Sequence, residues 1–129
     1  MRRTACLDRP NIWMDVTQGV NGYRSGQVFL TTGVPLVVAV HEFAHHYDWD
    51  CNIEDRYIGR HFAHEAGHRL VDLVWYDWEA PHHRRVAEQF ADTLAWLLTG
   101  YGARERREVQ EQAAWTLLPL VKNPTLGGR

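Results

Sequence analysis

The stretch "VVAVHEFAHHYD" (residues 37–48) decides how this chain is read. Its mostly apolar start and its freedom from Gly and Pro predict a helix over 35–49. Pro35 suits the first turn of that helix, where a missing N–H is tolerated. On a helix, residues four apart share a face. His41 and His45 therefore direct two imidazoles at one place, while Glu42 lies about 100° round the axis. Two imidazoles so placed can hold a zinc ion. A carboxylate one step round cannot easily share the ion, but it can reach a water beside it. Zinc then needs a third protein ligand and an open position.

The chain spells the same pattern again in "FAHEAGHRL" (residues 62–70), as His64, Glu65 and His68. One domain of this size has little use for both copies, and the flanks separate them. "PLVVAV" precedes His41; it carries no charge and can be buried behind a metal. The strand candidate "QVFLTTG" comes just before it. "DRYIGRHFA" leads into the second copy, Arg69 follows its second His, and no strand is near. Charged flanks suit a surface helix. The favoured ligands are thus His41 and His45, with His64 and His68 as surface or internally satisfied residues. The alternative gives the metal to His64 and His68.

Downstream, "AEQFADTLAWLL" puts Glu88 and Asp92 four apart on one helix face. Glu88 can complete a site of two His and one Glu. Asp92 can accept a hydrogen bond from a ligand imidazole and so set its tautomer. The plainer reading makes both residues the polar face of an amphipathic helix. Ala91 and Ala95, small residues on that face, favour close approach to the first helix. Glu88 also stands at a workable distance after His68, which keeps the second copy in play.

The other elements are coarser. "NIWMDV" (11–16) and "QVFLTTG" (27–33) read as strands near 11–16 and 27–32, able to pair as a hairpin across the turn-like "NGYRSG". A second helix is expected from Glu54 to about Trp75, with Gly59 and Gly67 as weak points. A helix at 83–99 carries Val86, Phe90, Leu94, Leu97 and Leu98 at helical spacing and stops at Gly100. "ARERREVQEQAAWTLL" reads as a last amphipathic helix and "PLVKNPTLGGR" as a tail. The sum is one small α+β domain over residues 1–129.

Composition excludes several classes. The net charge of −2 and the lack of a long basic run argue against nucleic acid as a partner; the short patches Arg2–Arg3 and Arg104–Arg107 read as solvated surface. The longest apolar run, Val34–Val40, is too short to span a bilayer. "MRRTACLDRPN" lacks the apolar core of a signal peptide. A Cys6–Cys51 disulfide would need an oxidising compartment, and nothing in the sequence points to one, so the cytoplasm is the default, with signal-less export as the other route. There is no phosphate-binding Gly-rich loop, and the lone Ser25 sits in a turn. "WYDW" (75–78) reads as core and rim packing.

"HEFAHHYD" followed by "AEQFADTLA" resembles the gluzincin peptidases, closest to the anthrax lethal factor-like branch, with the ImmA/IrrE-type peptidases and the minigluzincins nearby. His41, Glu42, His45 and Asp48 match the first motif; Glu88, Phe90, Ala91 and Asp92 match the second. The likeness spans roughly residues 27–98. Three departures stand out. Ala44 replaces the usual Gly. His46 stands where a small or apolar residue is usual. The family's transition-state Tyr has no clear match, with Tyr76, His82 and His83 as candidates. His61, His82 and His83 otherwise read as plain polar residues.

The resemblance implies a zincin-like fold and a zinc metallopeptidase acting on a protein or peptide. In that scheme Zn²⁺ sits on His41, His45 and Glu88. Glu42 takes the proton of the metal-activated water and passes it to the leaving amine. "QVFLTTG" would be the edge strand that holds the substrate by backbone pairing. A reading from a different class is a non-catalytic zinc-binding module that docks a partner protein.

Overall fold

Gln27, Val28, Phe29 and Leu30 alternate in burial, with Val28 and Leu30 facing inward, as a strand with one packed face requires. In the computed structural model, which describes residues 11–14, 21–24, 26–101 and 111–122, this strand is the middle of a three-stranded sheet. β1 (Asn11–Met14) runs parallel to β3 (Gln27–Leu30), and β2 (Gly22–Arg24) runs antiparallel to it. Two sequence expectations change. The strands near 11–16 and 27–32 do pair, but in parallel, so they form no hairpin. The hairpin instead joins β2 to β3, and β2 arises inside "NGYRSG", a stretch whose Gly, Asn and Ser content masks a strand. "QVFLTTG" is consequently central, and the sheet edge nearer the cleft described below belongs to β2.

Gly33, at φ +79°, turns the chain into α1 (Leu36–Cys51). Pro35 is its N-cap, with its carbonyl accepting from Val38 and Ala39. Asn52 ends the helix in the left-handed region, at φ 55°, where its N–H reaches the Asp48 and Trp49 carbonyls. The opening of α1 is less enclosed than its apolar sequence implies: Leu36 is exposed and Val37 to Val40 are half-buried. Cys51 is buried and disulfide-bonded.

The expected helix over 54–75 is much shorter. A 3₁₀ turn (Ile53–Asp55) leads into α2 (Tyr57–Glu65), which ends at Ala66. Gly67 then takes φ +95°, and the chain runs through turns and bends to a second 3₁₀ turn (His82–Arg84). The apolar pattern of "LVDLVWY" looked helical, yet Val71 and Val74 face solvent while Trp75 is buried. Gly59 stays within α2 for a packing reason: a Cβ there would overlap the Ile53 carbonyl oxygen.

α3 (Val86–Thr99) follows and stops at Gly100, φ +81°. Val86, Phe90 and Leu94 are buried, whereas Leu98 is exposed. The α1–α3 contact is the most extensive in the fold, and Ala44, Ala91 and Ala95 are all buried. Phe90 meets Phe62 edge-on at 5.9 Å and Trp75 at 6.0 Å; burying a ring of this kind stabilises the fold by about 1.5–3 kcal/mol. α4 (Glu111–Trp115) and α5 (Leu118–Lys122) close the far side with Ala113, Leu117 and Leu120. The start of the expected tail is thus helical. Residues 1–10, 15–20, 25, 102–110 and 123–129 lie outside the described residues, and with them Cys6, Ser25, both arginine patches, the end of the first expected strand and much of the last expected helix. Among the described residues, no helix is long and apolar enough to cross a membrane.

Gly59→Ala is expected to cost at least the ~1–3 kcal/mol typical of overpacking, because the obstruction is backbone that cannot rotate away. Urea unfolding of the variant beside the parent measures this loss.

Candidate metal centre

The close α1–α3 packing brings three donor groups to one point. His41 Nε2 lies 3.1 Å from Glu88 Oε1, His45 Nε2 lies 3.1 Å from Glu88 Oε2, and the two Nε2 atoms are themselves 3.1 Å apart. Ligands about 2.0–2.1 Å from a tetrahedral zinc ion stand roughly 3.3–3.4 Å from one another, a spacing near those seen here, although the two imidazoles approach different oxygens of Glu88. The donor set of two imidazoles and a carboxylate is also the kind zinc takes. His41, Glu42 and His45 each offer a donor atom, all within 4.8 Å of one another. The residues present therefore fit the ion.

The electrostatics agree with a site built for positive charge. Burial alone would lower the His41 imidazole, but the Asp92 and Glu88 carboxylates outweigh it and push it up to about 10. Burial would raise Glu88, yet the His41 and His45 rings hold it well below the usual carboxylate range. Glu42, mostly enclosed, is raised, chiefly by burial. Asp92 is buried and faces His41 Nδ1 at 3.6 Å, on the side of the ring away from Glu88. This is longer than an ordinary hydrogen bond, so the contact is mainly charge on charge.

A cleft of about 640 Å³ opens over these groups. Tyr23 and Arg24 of β2 line it, as do Trp49 of α1 and Tyr76, Trp78 and His82 of the connector before α3. Arg85 holds that connector in place: its side chain donates to the Ala80 and Trp78 carbonyls and lies over the Trp78 ring at 5.0 Å. His82, read from sequence as a plain polar residue or a substitute for the missing Tyr, brings its Nε2 to 3.0 Å from Glu88 Oε1. His83 does not line the cleft. Tyr76 does, but its hydroxyl donates to Asp48 Oδ2 at 3.2 Å.

Asp48 also accepts from Trp75 Nε1 at 2.7 Å, which ties α1 to the connector from inside the core. Among the described residues, its Oδ1 is buried without a hydrogen-bond partner. Burial pushes this carboxyl up to about 7 despite both donors.

The second motif does not assemble. α2 ends between its two histidines, so His64 and His68 do not share a helix face. His64 is exposed and lies 3.2 Å from its neighbour Glu65. His68 Nε2 lies 2.7 Å from Gln89 Oε1, and the Gln89 amide donates to the His83 carbonyl. Glu88 thus turns to the first motif, and its neighbour Gln89 satisfies His68. No protein-family model, curated protein or solved structure matches the chain.

The Asp48 carboxyl, near 3.9 in an unfolded chain, binds its proton more tightly in the fold. Its contribution to stability is intact below about pH 4 and is lost as pH rises to about 7. Asp48→Asn keeps an oxygen for Trp75 and Tyr76 and cannot ionise. Its Tm relative to the parent should climb by several degrees between pH 4 and pH 7 and stay level above that, as followed by circular dichroism melts.

Proposed function

We propose that this protein is a zinc-dependent peptide hydrolase of gluzincin type. The observation that carries the reading is the meeting of His41, His45 and Glu88 at mutual distances of 3.1 Å beneath an open cleft, with Glu42 beside them. His41, His45 and Glu88 would hold the ion. When bound, it would supply Lewis-acid activation of water and of a peptide carbonyl.

The chain's own groups divide the remaining work. Glu42 is enclosed and raised by burial, which suits a carboxylate that takes a proton from water and returns it to the departing amine. Asp92, facing His41 Nδ1, favours the tautomer that leaves Nε2 free to ligate. The edge of β2 offers backbone groups to an extended peptide, the role expected from sequence for "QVFLTTG". Of the three candidates for the missing Tyr, His82 is favoured as the donor to a developing oxyanion. Tyr76 has its hydroxyl proton directed at Asp48, and His83 is off the cleft. A disulfide-bonded Cys51 favours an oxidising compartment as the place of work.

Zinc analysis and peptidase assays test this together. Glu42→Gln should keep about one equivalent of zinc and lose turnover by at least about a hundredfold, on the scale of removing a general base. His41→Ala or Glu88→Ala should lose the metal, while His64→Ala should keep it. A parent protein that holds zinc and a partner protein yet cleaves nothing, and a Glu42→Gln variant that changes neither, would favour the non-catalytic module instead. Since the ion must displace a proton from His41, its apparent affinity should climb about tenfold per pH unit between pH 6 and 9, measured by chelator competition.

A further inference from the structure

His46 has no part in the chemistry just described. It is buried, at 6% exposure, and its Nδ1 lies 3.1 Å from the Tyr23 hydroxyl. That same hydroxyl oxygen accepts the Gly26 N–H at 2.7 Å. A phenol carries one proton. The Tyr23 hydroxyl, accepting from Gly26, shares its remaining hydrogen bond with His46 Nδ1, the donor being set by the tautomer of His46. One hydroxyl therefore ties three pieces together: β2, which carries Tyr23; the turn into β3, where Gly26 takes φ +87°; and α1.

The location gives this tie its meaning. β2 is three residues long, and among the described residues only β3 pairs with it. A strand that short is weakly held by its ladder alone. Tyr23 also lines the cleft, and its ring lies 6.5 Å from the His45 ring with planes 17° apart. The brace thus runs from the wall of the cleft to the residue next to a candidate ligand.

We propose that His46 is a positioning residue. Through Tyr23 it sets the separation between β2 and α1, and with it how tightly an extended peptide is held, without touching the bond-breaking step. The inference rests on the peptide-hydrolase reading for the identity of what the cleft holds. A His46 that merely fills the core would affect stability and leave peptide affinity unchanged.

The test uses the zinc-loaded full chain with fluorescein-labelled casein and a quenched mixed-sequence peptide pool. Tyr23→Phe and His46→Leu should each raise KM about tenfold, the loss expected for one net hydrogen bond, with kcat within about twofold and zinc content unchanged. His46→Asn, whose side-chain oxygen sits near the place of Nδ1, should restore KM. The double variant should be no worse than either single one. Amide exchange at Gly26 should quicken in Tyr23→Phe.

The proposal is overturned if kcat falls while KM holds, if zinc is lost from Tyr23→Phe, if the two single effects multiply, or if a folded His46→Asn fails to restore. Casein binding by anisotropy in a Glu42→Gln background separates the two ideas. If the parent cleaves nothing yet His46→Leu still weakens casein binding about tenfold, the hydrolase reading falls and the brace stands. If the parent cleaves and the variants keep its KM, the brace falls and the hydrolase reading stands.

Discussion

Two imidazole nitrogens and a carboxylate at 3.1 Å from one another favour a shared positive charge. Two lone pairs facing each other repel, as do two N–H groups. A proton on His41 resolves the conflict in one way, and a cation in the middle resolves it in another. Much of the fold is arranged so that this conflict exists at all. α1 and α3 must lie close enough for side chains from both to meet, and Ala44, Ala91 and Ala95 keep their contact free of bulk. Asp92 behind His41 adds to the demand for positive charge.

The inner face of α1 carries an unusual polar load. Glu42, His46 and Asp48 are all buried. Each polar group taken from water needs a partner, and these find theirs in different elements. His46 is matched by the Tyr23 hydroxyl from the sheet, and Asp48 by Trp75 and Tyr76 from the connector. Glu42 lies among the charges of the cluster itself. α1 is therefore linked by directional bonds to the β2 wall on one side and the connector wall on the other. The orphaned Asp48 Oδ1 is where this scheme is incomplete, and the raised carboxyl is its electrostatic sign.

How much of this the sequence disclosed follows from the range of each signal. The spacing of His41 and His45, and of Glu88 and Asp92, is set within one helix turn, so it could be read without knowing anything distant. The stop at Gly100 is equally local. The second helix was overestimated because local periodicity in "LVDLVWY" says nothing about Gly67 turning left-handed or about Trp75 being drawn toward Asp48. β2 was missed because three residues are too few to alternate visibly, and the central place of β3 depends on which neighbours pair with it. His82 could be named only as one of three candidates: it sits in a short turn after Pro81, and only the path of the connector brings it to Glu88.

Small side chains at the α1–α3 contact let the two helices approach closely, and the bulk of the core comes from Phe90 of α3 among Phe62 and Trp75, and from the helices beyond. One helix thus has two duties on two faces. The aromatic face is answerable for whether the chain folds, and the cleft face is relieved of that burden. A change at the cleft rim should therefore disturb folding less than a change among the rings behind it.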